Sequence, residues 1–151
     1  MVRALSHHRA GQYGGKPFDH VVLTHDARHL RRRLLTLASG LQVLVDLPRA
    51  VAFEQGDVLV LEDGRLAEIR AADEDLLEIR GTDATHLARL CWHIGNRHLP
   101  AEIGENRILI AADHVMGDML EGLGASVRTV RGPFSPERGA YHGHGHDEHS
   151  H

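Results

Sequence analysis

The last ten residues of the chain carry five histidines, His142, His144, His146, His149 and His151, in a stretch with nothing able to build a core. The order is His-Gly-His-Gly-His, then Asp147 and Glu148, then His-Ser-His. Glycine between ligands lets several imidazoles converge on one ion without steric conflict. Imidazole suits nickel, zinc and copper(II), whereas a lone cysteine, Cys91, leaves no thiolate cluster for copper(I) or an iron–sulfur centre. The run is interspersed, unlike the unbroken histidines of most purification tags, and is read as native.

A second candidate is His114, directly after Asp113, which caps a helix and places the imidazole in its first turn. The positive end of a helix dipole disfavours imidazolium, so the ring keeps a lone pair for a metal. Helical spacing puts His114 with Asp118 and Glu121 on a polar side, away from Val115, Met119 and Leu123. Taken alone, it reads either as an inconsequential exposed histidine or as a ligand; a two-fold axis nearby would present two copies of it. His86 and His93, seven apart on an earlier helix, read as packing or boundary residues, and Cys91 as a small core hydrophobe. His98 could bond the last helical carbonyls or face a partner. The spacing of His25 and His29 looks accidental in a turn before a strand, and His7, His8 and His20 carry no signal.

Composition limits the classes available. With 151 residues, 42% of them hydrophobic, the chain can bury a core in one ordinary domain or two small ones. Seventeen basic against twenty-one acidic residues argue against a nucleic-acid footprint, and the triplet Arg31, Arg32, Arg33 reads as the solvated face and edge of a strand. No stretch is long and apolar enough for a membrane span, no signal-peptide core is visible, and the cytoplasm is the expected compartment.

The elements that must position these residues divide near residue 74. An α+β fold is expected: a β-rich N-terminal domain over 1–74, a ferredoxin-like (βαββαβ) domain over 75–134, and a disordered, flexible His-rich tail over 135–151. In the first part, Leu41 to Leu47 alternates as a strand that Pro48 closes. Val58 to Leu61 and Leu66 to Ile69 flank Glu62-Asp63-Gly64-Arg65, where Asp-Gly supplies the positive φ values of a tight hairpin. Phe18 to Thr24 and Leu30 to Leu37 add strands, while Met1 to Lys16 looks loose. In the second part, Leu76 to Arg80 is a strand. A helix follows, capped by Thr82 or Asp83, apolar at Leu87, Leu90, Cys91 and Ile94 and ended by Gly95-Asn96. Leu99 to Ile103 and Arg107 to Ile110 form a hairpin, Asp113 caps a helix that Gly124 stops, and Ser126 to Arg131 is a last strand. Strand, helix, strand, strand, helix, strand is the split βαβ order, whose open sheet face commonly serves ligands or a partner subunit. The tail from Ser135 to His151 would reach roughly 20 to 25 Å as a random coil.

Several stretches occur together in one known family. Trp92-His93-Ile94-Gly95-Asn96-Arg97-His98-Leu99-Pro100, Ile108-Leu109-Ile110, Asp113-His114-Val115, Asp118-Met119-Leu120, Leu123-Gly124-Ala125 and Pro133-Phe134-Ser135-Pro136-Glu137, with the histidine-rich end, resemble the UreE family of urease accessory proteins. Weaker similarity covers Arg31 to Thr36, Leu47-Pro48 and Gly56 to Leu59. The resemblance implies a nickel metallochaperone whose C-terminal domain forms a homodimer, with higher oligomers on metal binding. It also implies that His114 from both subunits binds Ni(II), with Zn(II) or Cu(II) able to substitute in vitro, and that a GTPase accessory protein of the urease maturation complex receives the ion. The tail histidines vary within the family, so the resemblance assigns none of them individually. Binding and hand-over, not catalysis, are expected, since no nucleophile–base pair, phosphate loop or carboxylate dyad is visible. A histidine-rich storage protein would need the tail but no His114, and a metal hydrolase would need three converging ligands.

Overall fold

A computed structural model describes residues 1–138, which form two compact units meeting between Ala72 and Asp73. The N-terminal unit is strand-rich. It comprises β1 (Val2–His8), β2 (Asp19–Leu23), a 3-10 turn (Asp26–Arg28), β3 (His29–Thr36), β4 (Gln42–Ala52), β5 (Val58–Leu61) and β6 (Leu66–Ala71), in a sheet ordered β2-β6-β5-β1-β4-β3. Alternation does its work in β4, where Val43, Val45 and Leu47 are buried, and in the β5–β6 hairpin, where Leu59, Leu61, Ala67 and Ile69 join the same core. Of the two turn residues expected to need positive φ, only Gly64 has it, at +89°. A four-residue loop closed by Gly64 N–H on the Leu61 carbonyl needs a single left-handed position. The arginine triplet lies on β3, an edge strand, with Arg32 paired to Asp46 at 2.9 Å.

Two expectations fail here. Val2–His8 is not loose but an interior strand, parallel to β4 and antiparallel to β5. Its ladder shifts register between Ala4 and Ser6, and only Ala4 is fully buried. Backbone pairing on both sides therefore holds it, and side-chain period has little to report. Pro48 does not close β4. The β3–β4 ladder jumps from Arg32↔Asp46 to Leu30↔Val51, so the proline lies in an excursion where its missing N–H leaves no ladder bond unmade.

Two buried polar groups pin the loops of this unit. Arg28, 1% exposed, donates from Nε to the Phe53 carbonyl and from Nη1 to the Leu23 carbonyl, both at 3.1 Å. Asp57 accepts from Arg9 Nη1 and the Glu54 N–H at 2.8 Å and from the Ala10 N–H at 2.9 Å. Arg28 thereby supplies a donor to the Phe53 carbonyl, and the buried Asp57 carboxylate is itself matched by three donors.

The C-terminal unit is an α/β arrangement of β7 (Asp73–Arg80), α1 (Ala84–Asn96), β8 (Glu102–Ile103), β9 (Ile108–Ala111), α2 (His114–Gly122) and β10 (Ser126–Pro133). Its sheet is antiparallel throughout, ordered β10-β7-β9-β8, so the expected succession of strands and helices is present. Leu90 and Ile94 of α1 and Met116 and Leu120 of α2 pack with Leu77, Ile79, Ile108 and Ile110 of the sheet. Asp83, not Thr82, caps α1, accepting the His86 N–H at 2.8 Å. Gly95 and Asn96 are still helical, and the left-handed residue is His98, at φ +57°. Val115 leaves the apolar side expected of it and is 73% exposed, because the buried stripe of α2 runs through Met116, Gly117 and Leu120. Gly124, at φ +90°, follows the helix as its stop.

The other sheet face is not open. Leu76 and Leu109 are covered by Phe134, and the chain beyond is tied down by Ser135 N–H to Glu102 Oε1 at 2.9 Å and Glu137 N–H to the Ala101 carbonyl at 2.8 Å. The segment expected to be flexible from Ser135 is thus bonded as far as Glu137, because Phe134 buries its ring against the sheet and brings the following backbone groups to partners.

Glu78 of β7 is buried, accepting from Arg80 Nε at 3.3 Å and Arg128 Nη2 at 2.8 Å. Burial alone would raise its pKa, but the hydrogen bond from Arg80 and the charge of Arg128 outweigh this and hold the carboxyl below its usual value. A depressed carboxylate contributes stability that is present above the unfolded value of about 4.3 and lost as pH falls through the folded one. Glu78→Gln should therefore lower stability at pH 7 and flatten its decline between about pH 5 and pH 3, as read by urea unfolding at each pH. An unchanged pH slope would refute the role.

Candidate metal centre

The start of α2 is a prepared position. Asp113 Oδ1 accepts the N–H groups of Val115 at 2.9 Å and Met116 at 3.1 Å, a cap worth about 1 kcal/mol. Gly117 lets the helix lie close on the sheet: a Cβ there would come within 3.3 Å of Leu77 Cδ1 and 3.8 Å of Val127 Cγ1. On this fixed backbone the His114 side chain stands 88% exposed, its Nε2 3.3 Å from Asp118 Oδ2. Beside it lies a cavity of about 440 Å³ whose lining includes Asp113, His114, Asp118, Glu121 and Thr129. The polar side read from helical spacing is therefore one wall of a real concavity. Val127 and Thr129, from β10, form part of the opposite wall; strand alternation gives no sign that they meet α2.

One imidazole cannot hold an ion. Among the described residues no group of three or more His, Cys, Asp and Glu side chains is placed to bind metal. His142, His144, His146, His149 and His151 lie outside the described residues.

Five of the other histidines, His7, His25, His29, His86 and His93, have structural engagements. His86 Nδ1 accepts the Thr82 N–H at 2.9 Å, and Nε2 lies 2.8 Å from the Leu123 carbonyl. A backbone N–H can only donate and a carbonyl only accept, so the ring is the neutral Nε2–H tautomer and straps the start of α1 to the end of α2. His93 meets Trp92 edge to face, with centroids 5.2 Å apart. His25 and His29 flank a turn before a strand, as expected: the 3-10 turn leads into β3 and brings their rings to 5.0 Å, with His29 Nδ1 3.2 Å from the His25 carbonyl. His7 packs on Phe53, and burial, with the charge of Arg9, lowers its pKa. Burial raises the pKa of the Cys91 thiol, as suits a core hydrophobe better than a nucleophile. No helix among the described residues is long and apolar enough to cross a membrane.

A strand-rich unit joined to an α/β unit that displays a histidine from a capped helix start defines the class, and sequence comparison supplies the family. The profile described as the UreE urease accessory protein N-terminal domain matches residues 3–72, and that described as its C-terminal domain matches residues 74–151. The chain is 57% identical over 151 residues to the urease accessory protein UreE of Agrobacterium fabrum, covering all of this chain and 92% of that one. It is 56% identical over 145 residues to the protein of that name from Rhizobium etli, covering 96% and 72%. To urease accessory protein UreE 1 of Brucella suis it is 54% identical over 144 residues, covering 95% and 89%. The chain belongs to the UreE family of urease accessory proteins.

Proposed function

We propose that this chain is a cytoplasmic nickel metallochaperone, acting in urease maturation by acquiring Ni(II) and passing it to a GTPase accessory partner. The observation that carries this reading is His114: an exposed imidazole at a rigid, capped helix start, in a chain whose family serves urease. In the proposed assembly the ferredoxin-like C-terminal unit forms a homodimer, and a two-fold axis brings the His114 pair to one ion. Tail histidines complete the coordination. Nickel here is cargo, so its site must be tight enough to load yet labile enough to release. Imidazole ligands, one pair fixed and the rest tethered, meet that demand better than a closed thiolate cage.

The rival is storage, in which the tail binds ions independently of His114. Once an imidazole pair is fixed, tethered ligands act at an effective concentration in the millimolar range. Removing all residues after Tyr141 should therefore lower the number of ions per dimer and also weaken, without eliminating, the tightest site. Calorimetry and native mass spectrometry of parent and truncated protein decide: loss of ions with unaltered affinity of the remaining site would favour storage.

A further inference from the structure

We propose that the outer face of α1, centred on Trp92, docks an acidic protein surface with an apolar pocket for the indole, and that in the proposed hand-over this surface belongs to the accessory GTPase. The identity of the partner rests on the proposed function; its chemistry follows from the helix. Leu90 and Ile94 hold the inner face of α1 on the sheet, and helical geometry turns Trp92 to the opposite side, where it stands 64% exposed. So placed, it stabilises the isolated chain little, because most of its apolar area remains in water. The indole is nonetheless held: the His93 ring meets it edge to face, centroids 5.2 Å apart and planes at 84°. A ring already oriented loses less freedom when a partner covers it. Ala88, Arg89, Gly95 and Asn96, three and four residues away on either side, surround it and are all exposed. A Cβ built at Gly95 would meet nothing within 4 Å, so one flank of the indole is open to a partner.

The charge of this face selects the partner. No Asp or Glu occurs between Asp83 and Glu102, in a chain where acidic residues outnumber basic ones twenty-one to seventeen. Elsewhere in the C-terminal unit Arg80, Arg107, Arg128 and Arg131 each have a carboxylate partner. Among the described residues Arg89 and Arg97 form no ion pair, and Arg97 folds back on the His93 carbonyl at 3.2 Å, at the same end of the helix as the indole. A second copy fits this face poorly, since an isologous contact would bring like-charged arginines together with no carboxylate on the helix to offset them. A nucleic acid would need a longer basic track than two arginines in a chain of net charge −4. An acidic rim around an apolar socket complements the face, and tryptophan and arginine are the residue types that dominate the energetics of such contacts.

The test measures binding of the purified GTPase to nickel-loaded full-length parent, Trp92→Ala and Arg89→Glu by biolayer interferometry at about 50 and 300 mM NaCl, where the screening lengths differ about twofold. Trp92→Ala should weaken the complex about thirtyfold, as for a tryptophan at the centre of an interface. Arg89→Glu should weaken it about tenfold at the lower salt and less at the higher, because the reversed charge faces carboxylates. Both variants should keep the parent's thermal midpoint and its affinity for nickel, since both side chains are exposed. The proposal is overturned if either variant binds the GTPase as the parent does. Sedimentation tests the other occupant: conversion of a dimeric parent to monomer by Trp92→Ala would make this face the contact between copies and overturn the proposal too. If the parent itself forms no complex with the GTPase, both the docking surface and the proposed hand-over fall; if the parent binds and the variants match it, only the docking surface does.

Discussion

Replacing His114 with alanine is expected to abolish the tightest nickel site while leaving the fold intact. Losing a merely outer-shell partner of a metal ligand typically costs about 10–100-fold in affinity, and loss of the ligand from both protomers must exceed that. The fold should not suffer, because the side chain is 88% exposed and alanine is the better helix former. The proposed homodimer should survive as well, since the buried core of such an interface is mainly apolar. Calorimetry, thermal unfolding and sedimentation test the three parts separately. If the variant binds its first nickel ion as tightly as the parent, the proposed function loses its anchor.

Replacing Arg28 with methionine should damage stability and spare the metal site. The substitution removes two charge-assisted hydrogen bonds and leaves the Phe53 carbonyl without its Arg28 donor, while the Leu23 carbonyl keeps the Ala72 N–H at 2.9 Å, for a loss of about 3 kcal/mol. For a unit of this size that corresponds to a fall in midpoint of roughly 10 °C or more. Arg28→Lys should rescue little, because an ammonium lacks the planar fork that serves two carbonyls at once. His114 lies in the other compact unit, so nickel affinity below the transition should be unaltered. A stability loss under about 1 kcal/mol would show that the Phe53 carbonyl finds another partner.

These predictions differ in how far the sequence alone leads to them. His114 was readable as a helix-start histidine because its position follows from a short-range rule: a cap at Asp113, an apolar stripe behind it and a stop at Gly124. Its acidic neighbours Asp118 and Glu121 follow from helical spacing. Arg28 gave no such signal. Its acceptor at Phe53 is 25 residues away, and the groups that Asp57 holds at Arg9 and Ala10 are 48 and 47 away, distances at which no local pattern operates.

Local chemistry decided the β5–β6 hairpin, both helices, the Asp113 cap of α2, the order of strands and helices after Asp73 and the face on which His114 stands. In each case a turn residue, a cap or a period is completed within one element. Tertiary structure alone decided that Val2–His8 becomes an interior strand, that β4 runs past Pro48, that Val115 faces outward and that Phe134 closes the second sheet face. It also brought Val127 and Thr129 of β10 across from α2 to line the cavity at His114. The physical reason is common to these cases: backbone pairing and packing between segments far apart in the chain satisfy groups that no neighbouring residue can reach, and periodicity records only which way a side chain points.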